Sequence, residues 1–465
     1  MMAGARTGIC VIGGGPAGSA LAIRLAQLGH GVLLVERSRS PRQHAGQSLS
    51  PAIWPLLDLL GAGAVVAAAG FRTCRHMLVQ WEQRVPIRRE FAPPGIIVDR
   101  GRFDELLVKA ARSHGVRVLQ PASIHARSRD EAGWRLSVVV DGGAIDLAAS
   151  VLADASGRAG ALRGERRAVS PRLTALYGHW LAATAPAEPM IAVGEDCWFW
   201  GVPLPDGRYS AIAFVDPALL RTRGGATPAA FYECLIARSR LPALGRDARL
   251  VGAVHAADAT AYIAEAAVGR DYIKVGEAAL AIDPLSSSGV ENAIQTALQA
   301  AVIINTLRRR PQLADAALNF YRRSLVEASQ RHKRWAAGFY RLAAGQCSTA
   351  FWRDRAIGAG ITEPLPAPPV APSSRVALAQ ETRLVEQPCI LGDFIDLRYA
   401  LAHSGIERPL AFLGGIEVAP LLRRVRPGMT FSDLLREWSA SVPEPAAKAI
   451  ARFLVDRGVL VPEAG

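Results

Sequence analysis

The sequence predicts an α/β fold built around a βαβ dinucleotide-binding unit, and three segments predict it. Near its start Cys10-Val11-Ile12 runs into Gly13-Gly14-Gly15-Pro16-Ala17-Gly18, with Glu36 closing the apolar run Val32-Leu33-Leu34-Val35. Later, Val151-Leu152-Ala153 ends in Asp154 and a glycine turn at Gly157. A third strand-like segment turns at Gly276-Glu277, passes Asp283-Pro284 and enters a helix at Gly289-Val290-Glu291-Asn292.

The first segment is read as a strand, a glycine turn, a helix from about Pro16 to Leu28 and a second strand. Gly13 permits the tight turn, Gly15 lets the backbone approach a pyrophosphate, and Gly18 lets the helix sit close to the sheet. A helix N-terminus favours an anion through its unpaired N–H groups and its dipole. Glu36 stands at the distance along the chain that suits the ribose hydroxyls of an adenosine. Together these point to an adenine dinucleotide, the alternative being a glycine-rich turn in an unrelated α/β protein.

At 465 residues, half of them apolar, the chain is long enough for two or three globular domains. Six cysteines without C-x-x-C spacing point to a reduced compartment and no metal site. No leader-like or membrane-spanning run is seen, so a soluble, cytoplasmic protein without a membrane partner is expected. The net charge of +13 comes from scattered arginines with no interleaved aromatic stripe, which argues against nucleic acid and is compatible with an acidic macromolecular partner.

Helical spacing from Asp99 to Gly115, alternation from Phe71 to Pro94, and mixed strands over 170–267 suggest a discontinuous cofactor domain (1–75, 97–170, 268–345). Interrupting it is a mixed β-sheet substrate domain (76–96, 171–267). A helix and the proline-rich Pro364–Pro372 linker occupy 346–380, before a C-terminal module at 381–465.

As an ordered set, the three segments resemble those of the FAD-dependent monooxygenases related to p-hydroxybenzoate hydroxylase, with the flavin-dependent halogenases as cousins. The resemblance covers about residues 8–345 and implies a Rossmann-like FAD-binding domain of the glutathione-reductase type. It implies FAD contacts from Gly13, Gly15, Ala17, Gly18, Glu36 and Arg37, from Gln47, Ser48 and Arg100, and from Asp154 and Gly157. It adds Glu277, Asp283, Pro284, Gly289, Val290 and Asn292, with Pro284 and Gly289 lining the reacting ring. Glu277 replaces the family's aspartate, and Gln47 stands where a glutamate is common in halogenases. The reaction implied is reduction of FAD by NAD(P)H or a separate reductase, then transfer of one oxygen of O2, through a flavin hydroperoxide, to an electron-rich aromatic ring.

Halogenases use a lysine amine in the strand region after the first substrate-domain turn. This chain has lysines only at 109, 274, 333 and 448, and arginine is no substitute, so hydroxylation is expected over halogenation. Trp198-Phe199-Trp200 echoes the halogenase W-x-W signature and equally fits an aromatic core strand. Tyr177, His179, Trp198 and Trp200 are candidate substrate contacts, with His179 also a core histidine by the simpler reading. The tail, with Thr430 capping a short helix and Gly458 ending the last, is similar to small winged-helix modules that hold peptide substrates. Such a module fits a peptide or small protein substrate, and the chain resembles the monooxygenases that mature tryptophan-derived quinone cofactors. Open alternatives are a small or carrier-bound aromatic in secondary metabolism, a dimerisation or lid role for the tail, and a non-catalytic FAD-binding scaffold.

Overall fold

The computed structural model describes residues 5–39, 47–82, 85–131, 133–182, 187–223, 227–239, 241, 248–358 and 370–463. Its chain divides into two compact units, residues 1–308 with 321–360, and residues 309–320 with 361–465. The first unit opens with β1 (Ala5–Ile12), α1 (Pro16–Gln27), β2 (Val32–Val35), β3 (Gln47–Leu49), α2 (Ile53–Leu59) and α3 (Gly63–Ala67). It continues through β4 (Arg72–Gln80), β5 (Ile87–Val98), α4 (Arg100–Ser113), β6 (Arg117–Leu119), β7 (Ala122–Asp130), β8 (Gly133–Val140) and β9 (Gly143–Asp154). Then come β10 (Arg166–Ala168), β11 (Thr174–Leu181), β12 (Met190–Val193), β13 (Cys197–Pro203), β14 (Tyr209–Val215), α5 (Pro217–Arg223), α6 (Pro228–Arg238) and β15 (Arg249–Asp258). The rest is β16 (Tyr262–Ala264), β17 (Tyr272–Lys274), β18 (Leu280–Ala281), α7 (Gly289–Arg309), α8 (Ala314–Ala344) and α9 (Ala350–Arg355), the α7–α8 junction falling in the second unit.

The first sheet has the order β6-β2-β1-β9-β8-β7, with β17 also on β9. β1 lies parallel to both β2 and β9, with Ile12 opposite Val35 and Asp154. Its central strands β1 and β2 and the end of β9 are covered on both faces, which is why Cys10, Val11, Leu33, Leu34 and Leu152 lie in unbroken apolar runs and are fully buried. The register brings Gly13, Glu36 and Asp154 together at the carboxyl ends of neighbouring strands, where open α/β sheets bind ligands.

The second sheet has eight strands in the order β15-β11-β14-β13-β12-β4-β5-β3. It takes in more chain than the expected 76–96 and 171–267: β3 pairs with β5, Gln47 opposite Val98, so the segment after the first βαβ unit is this sheet's edge. One face packs on α6 through Phe231, Tyr232 and Ile236. The other packs Trp198, Trp200 and Phe214 against Leu285, Tyr340 and Trp352.

In the second unit come β19 (Val376–Leu378), β20 (Arg383–Leu391), β21 (Phe394–Ala402), β22 (Phe412–Leu413) and β23 (Ile416–Glu417), then α10 (Val418–Leu422), α11 (Phe431–Ser439), α12 (Glu444–Asp456) and β24 (Leu460–Pro462). β19 pairs antiparallel with β24, so the module begins before residue 381, because its last strand needs a partner from the end of the linker segment. Pro364 to Pro369 lie outside the described residues. Leu401, Leu434, Trp438 and Leu454 form a core of the unit's own. The capping box expected from Thr430 is present: its side chain accepts from the Asp433 N–H, and Asp433 accepts from the Thr430 N–H.

Candidate functional site

The turn between β1 and α1 is built from backbone. Gly13 has φ +103°, and a Cβ there would lie 2.5 Å from the Ala155 carbonyl oxygen; a Cβ at Gly18 would run into the Gly13 carbonyl. Gly13 therefore answers to close approach as well as to turn geometry, and Gly18, inside α1, to close approach alone. Gly15 is the N-cap of α1, offers no side-chain cap and is followed by Pro16, which leaves first-turn N–H groups directed at the space beyond.

That space is a cleft of about 870 Å³. The sequence-expected residues on its wall are Gly13, Gly15 and Ala17 from the first turn, Glu36 and Arg37 after β2, and Arg100 at the start of α4. Gly157, Glu277, Gly289 and Val290 complete that set. Glu36 does two jobs: one carboxylate oxygen accepts from the Gly14 N–H at 2.6 Å and the other from the Ser38 N–H at 2.7 Å. Both contacts hold the carboxylate on the cleft wall, at the place where the family's acid meets ribose hydroxyls.

Other expected contacts sit elsewhere. Asp154 is fully buried and off the cleft wall; its Oδ1 accepts from the Ser156 N–H and hydroxyl and its Oδ2 from the Leu162 N–H at 2.7 Å. Its charge is spent on holding the turn that presents Ser156 and Gly157, which corrects the expectation of direct contact with the cofactor. Asp283 is also off the wall, accepting from the Leu285 N–H and the Tyr340 hydroxyl, and burial pushes its carboxyl up. Asn292 is turned into the protein, donating to the Leu280 carbonyl at 3.4 Å. Ser48 donates to Cys74 Sγ at 3.7 Å, and the side chain of Gln47 lies outside those described. Pro284 opens the one-turn helix over Pro284–Ser286 that Asp283 caps, and Ser287 after it has φ +49°. A non-glycine residue held there costs roughly 1–3 kcal/mol and is a mark of functional loops.

Several wall residues were not singled out from sequence. Arg158 donates from Nε to Glu277 at 3.1 Å and from Nη1 to the Thr260 carbonyl at 2.9 Å, so the family's aspartate-to-glutamate change is met by an arginine within its reach. The signal was its place next to Gly157. Arg127 and Ser123 on β7 also line the cleft, and no local pattern marks them. Off the wall, Glu291 in the first turn of α7 accepts from both the N–H and the hydroxyl of Ser50, at 3.1 and 2.9 Å, and burial raises its carboxyl.

On the large sheet, Trp198 is 1% exposed and stacks on Phe214 at 3.8 Å, and Trp200 is 8% exposed. Both are core side chains, placing this pair in the aromatic-core reading of W-x-W. Tyr177 and His179 lie on the same face of β11, half-buried; Tyr177 stacks on His255 at 5.2 Å. Burial, helped by Arg208, pushes the His179 imidazole down, so it is neutral at physiological pH with one donor and one acceptor nitrogen. Among the described residues no cluster of His, Cys, Asp or Glu could hold a metal ion, and no helix is long and apolar enough to cross a membrane.

Residues 6–191 match the family model of an FAD binding domain. Tryptophan 2-halogenase of Chondromyces crocatus is 33% identical over 378 residues, 74% of this chain and 70% of that protein. Among solved structures, the peptidyl tryptophan dihydroxylase QhpG, essential for tryptophylquinone cofactor biogenesis, gives a TM-score of 0.78 at 28% identity. That likeness covers 98% of this chain and 100% of the other. The flavin-dependent halogenase CmlS gives 0.81 at 23% identity over 100% and 97%, a likeness of fold.

Proposed function

The chain belongs to the FAD-dependent monooxygenase family that includes the flavin-dependent halogenases, and from that premise we propose that it hydroxylates the indole of a tryptophan held within a peptide or small protein. The observation that carries this reading is the likeness to QhpG along the whole chain, C-terminal module included. The lysine inventory supports it. Lys109 pairs with Glu105, Lys448 pairs with Glu444, Lys274 is buried, and neither β4 nor β5 carries a lysine.

Bound FAD supplies the activation of O2, with NAD(P)H or a separate reductase as electron source. The chain's own part is to bind and orient. The N-terminus of α1 holds the pyrophosphate and Glu36 a ribose. The backbone N–H groups of Gly289 and Val290, opening the 21-residue α7, favour negative charge on the reduced ring. His179 and Tyr177 are the polar groups on the sheet face suited to orient an indole N–H. The C-terminal module holds the peptide and raises the local concentration of its ring, and the positive chain favours an acidic partner.

Halogenation is the second reading, favoured by the 33% identity to a tryptophan halogenase. Holoenzyme incubated with tryptophan-containing peptides, NADH, bromide and ¹⁸O2 separates the two by mass. Incorporated ¹⁸O without bromine supports hydroxylation; a brominated product overturns it. Oxygenation of free tryptophan alone would leave the monooxygenase reading standing and remove the peptide.

A further inference from the structure

Beside the chain that leads into the flavin loop lies a cavity of about 250 Å³ that shares no lining residue with the cofactor cleft. One wall is a single face of α8: Ser329, His332, Lys333, Ala336, Ala337 and Tyr340 follow each other at helical spacings of three and four. Ala336 and Ala337 are 4% and 2% exposed, whereas Lys333 and Ile357 on the same lining are exposed, so the pocket has a buried apolar floor and opens to solvent at its cationic rim. The opposite wall is Leu280 to Asp283 with Val169 to Pro171.

The polar groups at this cavity are unevenly committed. Ser329 is 6% exposed, and among the described residues its hydroxyl forms no side-chain hydrogen bond while not being sealed off, so it is available to a molecule in the pocket. Lys333 has no acidic partner among the described residues. By contrast, the Arg355 guanidinium donates to the Phe351 and Arg172 carbonyls, and Asp283 is occupied by Leu285 and Tyr340. Of the acids on the wall, Asp283 is held toward its neutral form by burial and Asp354 is exposed. A cationic and hydroxylic end therefore adjoins an apolar body.

We propose that this cavity is a second small-molecule site, taking a small monocarboxylate with a flat or branched apolar body, its carboxylate on Lys333 and Ser329 and its body on Ala336, Ala337 and Ile282. The volume falls just below the roughly 300–1,000 Å³ of sites for drug-sized ligands, so the ligand is of fragment size. Its floor, Asp283, caps the turn leading to Ser287 and Gly289, so an occupant acts on the flavin loop as an effector. The site is independent of which aromatic ring the enzyme oxidises.

The test is calorimetric titration of full-length holoenzyme with phenylacetate and isovalerate, with phenylacetamide as the neutral control. Both carboxylates should bind at one site and the amide far more weakly. Lys333→Gln should weaken the carboxylates about tenfold, the effect of losing one charge-assisted hydrogen bond. Ser329→Ala should weaken them less, and Ala337→Trp should abolish binding, each variant keeping its full flavin content. Should Ala337→Trp fail to fold, Lys333→Gln and Ser329→Ala decide. Absence of saturable binding of both carboxylates, equal binding of the amide, or affinities unchanged in Lys333→Gln would each overturn the proposal.

Discussion

Glu36 and Asp154 begin as the same sequence signal, an acid at the end of a buried strand beside a glycine turn, and end in different roles. Glu36 lies on the cleft wall, whereas Asp154 is fully buried and engaged by its own turn. Strand, acid and glycine were legible because burial and turn geometry are written in local residue types. Which acid faces the ligand depends on whether the following turn folds back over it, as Leu162 does over Asp154, and that is a tertiary fact. Glu36→Lys should purify nearly colourless, because it removes both backbone contacts and reverses the charge; stoichiometric flavin by absorbance would contradict the assignment. Glu291 makes a different forecast. Burial raises its pKa above the ordinary 4.5, so the folded state retains a proton that the unfolded chain releases. Its contribution is fully favourable below that ordinary value and is lost as pH rises through the raised one. Glu291→Gln keeps a carbonyl oxygen for Ser50 and never ionises, so the fall in urea midpoint from about pH 4.5 to 8 should be shallower than in the parent. Asp283 titrates in the same direction and leaves part of the slope in place.

At the scale of elements, strand and helix types were readable and sheet membership was not. Alternation over Phe71 to Pro94 marked β4 and β5, but nothing local told that Gln47–Leu49 joins their sheet, since that pairing is with Val98 across a long stretch of chain. Trp198 and Trp200, two apart on β13, were readable as facing one side; that this side is packed core follows from Tyr340 and Trp352 on helices far along the sequence. The cap of α11 was legible because it is local. Thr430→Ala should cost about 1 kcal/mol, measured by denaturation of the full chain, and Thr430→Ser should restore most of it. An unchanged midpoint would mean that water replaces the hydroxyl at no cost.

For the whole molecule, the division at the proline-rich linker was legible, and the assignment of residues 309–320 to the second unit was not. Arg310 lies over the Phe394 ring at 3.9 Å within that unit, a contact between the α7–α8 junction and the tail hairpin that no spacing announces. Ending the chain within Pro364 to Pro372 should therefore leave a yellow, NAD(P)H-oxidising protein with a lowered melting temperature, because the helical junction loses its partners. Turnover of a peptide substrate should fall about a hundredfold from lost tethering. Full peptide turnover by the shortened enzyme would return the tail to a structural role.

The central position of β1 also governs when the protein can mature. Its residues Ala5–Ile12 must wait for Leu147–Asp154 before they are flanked on both sides, and the cleft wall closes only when Gly289, Val290 and Ala293 arrive. Pairings this distant along the chain are slow to form and are secured late. During synthesis residues made well before their partners are thus among the last to be fixed, and a ribosome must release the chain beyond Ala293 before flavin can act as a clasp across it. Stalled nascent chains ending before that point should retain no FAD, and chains extended to the close of α8 should capture it; early capture would show that the first βαβ unit grips the cofactor alone.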